Sequence, residues 1–184
     1  GVPLLAALRL EKKMSRGWKI FGIGMVTFMG SQALHLPFNT FLLNPLFSRL
    51  GLSVGKGGWS LVWVALLLGL SAGIFEECAR YLVYRFWLSK RASWKEGVML
   101  GVGHGGVEAI LVGLLVLLAL VQALVLDPEN LPVSLSGEEA LVVASQLETY
   151  WAMPWHEVLL AAVERLAAMS FHVGASVMVW RVFR

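Results

Sequence analysis

From Gly97 to Leu126 the chain runs thirty residues without a lysine, an arginine or a proline, and its ionisable side chains there are His104 and Glu108. A run this long exceeds the roughly 20 residues that carry a helix across about 30 Å of hydrocarbon. Backbone in lipid must satisfy its own hydrogen bonds, so the run can only be helical. Three further stretches read the same way, from about Trp18 to Leu36, Trp59 to Leu88 and Trp155 to Arg184. The expected fold is all-α, a polytopic transmembrane bundle with at least four membrane-spanning helices. Composition agrees: 58% of residues are hydrophobic and 15% charged, against about 25% charged in soluble domains. Cys78 is the single cysteine, which excludes an internal disulfide. With a net charge of +3 and no basic tract, no nucleic-acid partner is expected, and membrane lipids are.

Residues 1–17 read as a cytoplasmic segment, with residues 1–10 resembling the end of a preceding helix. Because the chain begins at Gly1 rather than Met, a preceding segment or processing is expected. Residues 18–184 read as the membrane-embedded bundle. Pro37, Pro45 and several glycines break the apolar stretch 37–58, which reads as interfacial or re-entrant. Residues 127–154 carry Asp127, Glu129, Glu138, Glu139 and Glu148 but no Lys or Arg, and read as an extracytoplasmic loop. Basic residues gather before the first span (Arg9, Lys12, Lys13, Arg16, Lys19) and between the second and third (Arg85, Lys90, Arg91, Lys95). By the positive-inside rule these stretches and the C-terminus are cytoplasmic, and the expected location is a prokaryotic plasma membrane.

Against this background Glu76-Glu77-Cys78-Ala79-Arg80 stands out. A carboxylate at a helix centre in the bilayer costs roughly 2.5–3.5 kcal/mol, so such groups pair, face a cavity or act. At about 1.5 Å of rise per residue, Glu76 and Glu77 lie about 25 Å below the outer end of their span. The same arithmetic puts His104 and His172 at a similar level on two other helices, with Glu108 one turn beyond His104. Glu164 and Arg165 fall nearer the midplane, within reach of Glu108. Taken singly, each of these polar groups also reads as a structural pair or a cross-bundle hydrogen bond, and His35 as an anchor at a helix end. Their coincidence in depth is what argues for a shared site. Arg80 is four residues from Glu76 and three from Glu77, a helical neighbour of both; either the two glutamates share it, or it neutralises Glu76 and leaves Glu77 as the freer base. Glycines 101, 103, 105 and 106 around His104 either let helices approach closely or leave room for a substrate backbone.

The stretches FEECARY (75–81), GVGHGGVEAI (101–110) and ERLAAMSFHVGAS (164–176) resemble the YhfC-type intramembrane proteases, of the superfamily of CAAX prenyl proteases and bacteriocin-processing enzymes. SQALHLPFN (31–39) resembles a further stretch of that family. The resemblance implies a helical-bundle intramembrane endopeptidase acting near the cytoplasmic side on a membrane-embedded or lipidated peptide. Glu76 or Glu77 with His104 would activate a water, and His172 with Ser176 would form the oxyanion site. Arg80, Glu108 and Glu164 would support them. Two features depart from the superfamily pattern. Two residues rather than three separate the Glu pair from Arg80, which leaves either glutamate eligible as the base. The last motif ends in Ser176 rather than Asn or Asp.

The leading expectation is thus a glutamate-type peptidase with no cofactor. Its metal-dependent variant would use His104, Glu108 and His172, a ligand set suited to zinc. A different class is a catalytically inactive structural subunit of a larger membrane complex, with other membrane subunits as partners. A third is a haem- or chlorophyll-binding protein with His104 and His172 as axial ligands.

Overall fold

A computed structural model describes residues 2–12, 14–88, 93–126 and 137–183. Lys13, Lys90, Arg91, Arg184 and residues 127–136, to which orientation and loop readings were attached, lie outside the described residues. The described chain is helical, with no strand. The helices are α1 (Val2–Glu11), α2 (Gly17–Phe38), α3 (Asn44–Arg49), α4 (Gly58–Phe86), α5 (Trp94–Val125), α6 (Gly137–Ala152) and α7 (Trp155–Val182). By length and composition α4, α5 and α7 are able to cross a membrane. α2, read as the first of four spans, forms where expected but is not among those three. Its apolarity is diluted by Thr27, Ser31 and His35, all of which it buries.

The chain does not break at Pro37. α2 runs through it to Phe38 and continues as a π-helical turn, Asn39–Leu43, into α3. The Asn44 N–H bonds back five residues to the Asn39 carbonyl, the widened turn by which a helix absorbs a local misfit. Pro45 then sits in the first turn of α3, where its missing N–H would have had no helical partner. The first part of the segment read as re-entrant is therefore helix. Within the segment read as a loop, α6 forms with Glu138 and Glu139 in its first turn, where the helix dipole favours negative charge.

α5 starts at a capping box. Ser93 N–H donates to Glu96 Oε2 at 2.7 Å, and Glu96 N–H reaches Ser93 Oγ at 3.4 Å. Each side chain thus covers an N–H that the helix leaves without a partner. Arg16 donates to the other Glu96 oxygen at 3.1 Å, tying the start of α5 to the entry of α2.

The chain divides into two compact units, 1–108 with 169–184, and 109–168. In the first, a core of Ile20, Phe21, Val83, Tyr84, Met99, Leu100 and Val102 joins α2, α4 and α5. Contact there is backbone to backbone. A Cβ on Gly24 would lie 2.2 Å from the Leu100 carbonyl oxygen, and one on Gly103 would lie 2.1 Å from that of Phe21. On α7's side, a Cβ on Gly101 would lie 2.5 Å from Val173 Cα, and one on Gly105 would lie 2.8 Å from the His172 ring. Of the two uses foreseen for these glycines, the structure shows close helix approach. The second unit exposes Leu114, Leu115, Leu117 and Leu118 along α5, the surface expected of a helix in lipid.

Candidate metal centre

α4, α5 and α7 each contribute one side chain to a single point: Glu76, His104 and His172 offer ligand atoms all within 4.8 Å of one another. The glycines explain how. With Gly103 against α2 and Gly101 and Gly105 against α7, His104 is wedged between helices and fully buried. Phe28 of α2 meets its ring edge-on at 5.3 Å, and the His172 ring lies 5.0 Å away. Two imidazoles in direct ring contact leave no place between them for a haem or chlorophyll plane.

Glu76 Oε2 is 3.4 Å from His104 Nε2 and 3.5 Å from His172 Nδ1. Arg80, fully buried, donates through Nη2 to His172 Nδ1 at 2.7 Å and to Glu76 Oε2 at 3.3 Å. Its Nη1 donates to Glu77 Oε1. A guanidinium has no acceptor, so His172 Nδ1 carries a lone pair and the ring proton sits on Nε2. That proton goes to Glu108 Oε2 at 2.6 Å.

These positions correct the sequence reading at four points. Arg80 does not set Glu77 free, because both glutamates pair with it. Glu76 is the carboxylate that meets the histidines, while Glu77 has a side chain 40% exposed. Glu108 lies on the far nitrogen of His172, and it is Glu76 that joins the two histidines in the group able to hold a metal. Both ring nitrogens of His172 are engaged, which leaves no N–H for an oxyanion. Ser176, one turn along, is fully buried with no hydrogen-bond partner for its Oγ among the described residues. Glu164 belongs to the other unit and pairs with Arg165.

Sequence reasoning missed Tyr84, whose hydroxyl donates to the Ser176 carbonyl at 2.9 Å and pins α7 to α4. Its signal was available, since it follows Arg80 by four residues on the same helix face.

The donor set fits a metal of the zinc type. Two imidazoles and one carboxylate are a ligand set of catalytic zinc sites, which keep a fourth position open. Bonds of about 2.0–2.1 Å in a tetrahedron place donors about 3.3 Å apart, close to the separations from Glu76 to each histidine. The Glu108 contact supplies the outer carboxylate that metal-bound histidines usually have. His104 Nδ1 has no hydrogen-bond partner among the described residues, so no acceptor there fixes the ring's tautomer; with a metal on Nε2 the ring proton would sit on Nδ1.

Comparison with known proteins gives the same chemistry. The family model described as "YhfC intramembrane metalloprotease" matches residues 1–184. The chain is 30% identical over 183 residues to an uncharacterized membrane protein, YhfC, of Bacillus subtilis (strain 168), covering 97% of this chain and 68% of the relative. No solved structure matches. A metalloprotease family overturns two expectations: a glutamate-type mechanism that works without metal, and the absence of a cofactor. Both came from reading the Glu76/Glu77 pair as the water-activating base, whereas Glu76 lies within about 3.5 Å of a nitrogen of each of two imidazoles, where a ligand would stand.

Proposed function

Because the chain belongs to the YhfC family of intramembrane metalloproteases, we propose that it hydrolyses a peptide bond within the membrane. Glu76 Oε2, His104 Nε2 and His172 Nδ1 would hold the metal. The observation that carries this reading is the convergence of one ligand atom from each of these residues, on three helices, within 4.8 Å. When bound, a metal of this type supplies a Lewis acid for the peptide carbonyl and lowers the pKa of water.

The chain's own residues prepare that chemistry. Glu108 holds the His172 proton on Nε2 and so keeps Nδ1 available as a ligand. Phe28 and the close helix approach at Gly103 and Gly105 restrict the His104 ring and keep water from its flanks. Arg80 and Glu77 balance charge beside the donors. The substrate is a membrane-embedded or lipidated peptide. Its cleavage falls toward the cytoplasmic side, a reading supported by the basic residues Arg9, Lys12, Arg16, Lys19, Arg85 and Lys95, which also favour a cytoplasmic C-terminus; the Bacillus subtilis relative supports a prokaryotic plasma membrane. The order Glu-Glu, Arg, His, His along the helices supports kinship with the CAAX-protease superfamily.

The test is elemental analysis and cleavage of a membrane-embedded peptide by the purified chain. Stoichiometric metal is expected in the wild type. Glu76→Gln, His104→Ala and His172→Ala are each expected to lose metal and cleavage while keeping helical content. Full cleavage by all three variants sinks the reading.

A further inference from the structure

Arg80 stands where a metal would have to bind. Its Nη2 lies 2.7 Å from His172 Nδ1 and 3.3 Å from Glu76 Oε2, two of the three donor atoms. The lone pair on Nδ1 that accepts from Arg80 is the one a metal needs, so the two cations exclude each other at that nitrogen. Arg80 also has a second acceptor. Nη1 is already on Glu77, whose side chain is 40% exposed and is not among the donors. Nε, buried and without a partner, does not anchor the guanidinium to its present place.

We propose that Arg80 is a positioning residue that alternates with the metal. In metal-free protein it bridges Glu76 and His172 and holds the donors together. On metal binding it withdraws onto Glu77. This rests on the metal reading of Glu76, His104 and His172. It assigns the adjacent glutamates different tasks: Glu76 faces the metal, and Glu77 receives the displaced arginine. Metal-free, Glu76 would otherwise be a carboxylate in an apolar bundle with no cation, a costly state. Metal-bound, an arginine still at Nδ1 would block a ligand.

The experiment measures Zn(II) affinity of the full chain in detergent by competition with a chromophoric chelator. Thermal unfolding is followed with and without EDTA. Arg80→Met removes the competitor. It is expected to bind Zn(II) at least tenfold more tightly than wild type, yet to unfold at a lower temperature when metal-free. Glu77→Gln weakens the receiver and is expected to bind Zn(II) several-fold more weakly. Arg80→Lys decides if Arg80→Met fails to fold: an ammonium lacks the fork that spans Glu76 and His172, so it also binds Zn(II) more tightly than wild type. Opposite signs for Arg80 and Glu77 support the exchange. Weaker or unchanged binding by the Arg80 variants overturns it, provided wild type binds Zn(II) and His104→Ala does not. If wild type binds no Zn(II), the metal reading itself falls and takes this proposal with it.

Discussion

Glu108 on α5 accepts the Nε2 proton of His172 on α7 at 2.6 Å. One hydrogen bond across two helices thereby decides which face of the histidine is available, since a neutral imidazole presents a lone pair on one nitrogen only. The place of Glu108 one turn from His104 makes α5 the source of one proposed metal ligand and of the group that orients another.

Replacing this carboxylate tests that division of labour. Glu108→Gln can still accept from Nε2, but without a charge, and Glu108→Ala cannot accept at all. Loss of such an outer partner typically lowers metal affinity about 10–100-fold. We expect Glu108→Ala to fall in that range and Glu108→Gln to fall less. Chelator competition reads both. Wild-type affinity in Glu108→Ala would show that His172 is oriented by other means.

The glycine contacts make a prediction about assembly rather than chemistry. At Gly103 the atom that a methyl would meet is the Phe21 carbonyl oxygen, at 2.1 Å. It is backbone, so only a shift of α2 away from α5 can relieve the clash. Overpacking typically costs about 1–3 kcal/mol, and sometimes more. Gly103→Ala is expected to lose at least that much stability and to lose metal binding, because His104 moves with the helix. Gly113→Ala is the control, since nothing lies within 4 Å of its added methyl. Equal unfolding temperatures for the two variants would refute close approach at Gly103.

How much was legible follows from what each property depends on. The rise of a helix is constant, so residues far apart in sequence can be compared for depth, and this brought Glu76, His104 and His172 to one level. Which glutamate meets the histidines was not legible. Positions three and four before Arg80 are nearly equivalent neighbours on their own helix, and only the placement of α5 and α7 separates them. The role of Glu108 was hidden for the same reason: it shares a face with His104, but its partner is on another helix. Pro37 misled because a break was expected where a π-helical turn follows. The capping box at Ser93 and Glu96 was present in the sequence and was not used.

His35 separates structure from chemistry. It is buried on α2, with Nε2 3.0 Å from Ser71 Oγ of α4 and Nδ1 3.4 Å from Gln32 Oε1. Ser71 is itself engaged, donating to the Leu68 carbonyl at 2.9 Å or to Asn39 Oδ1 at 3.4 Å. Phe75 covers the ring at 5.4 Å. These contacts fasten α2 to α4 just before the π-helical turn, and none of them reaches a donor atom of the metal set. Ser71 keeps its bond to the Leu68 carbonyl when His35 is removed, so His35→Ala loses one cross-helix hydrogen bond and a ring from beneath Phe75, and a loss of about 0.5–3 kcal/mol in unfolding stability is expected. Metal stoichiometry and Zn(II) affinity are expected to stay at wild-type values at temperatures where the variant is folded. A folded His35→Ala protein that binds no metal would instead place His35 within the functional site.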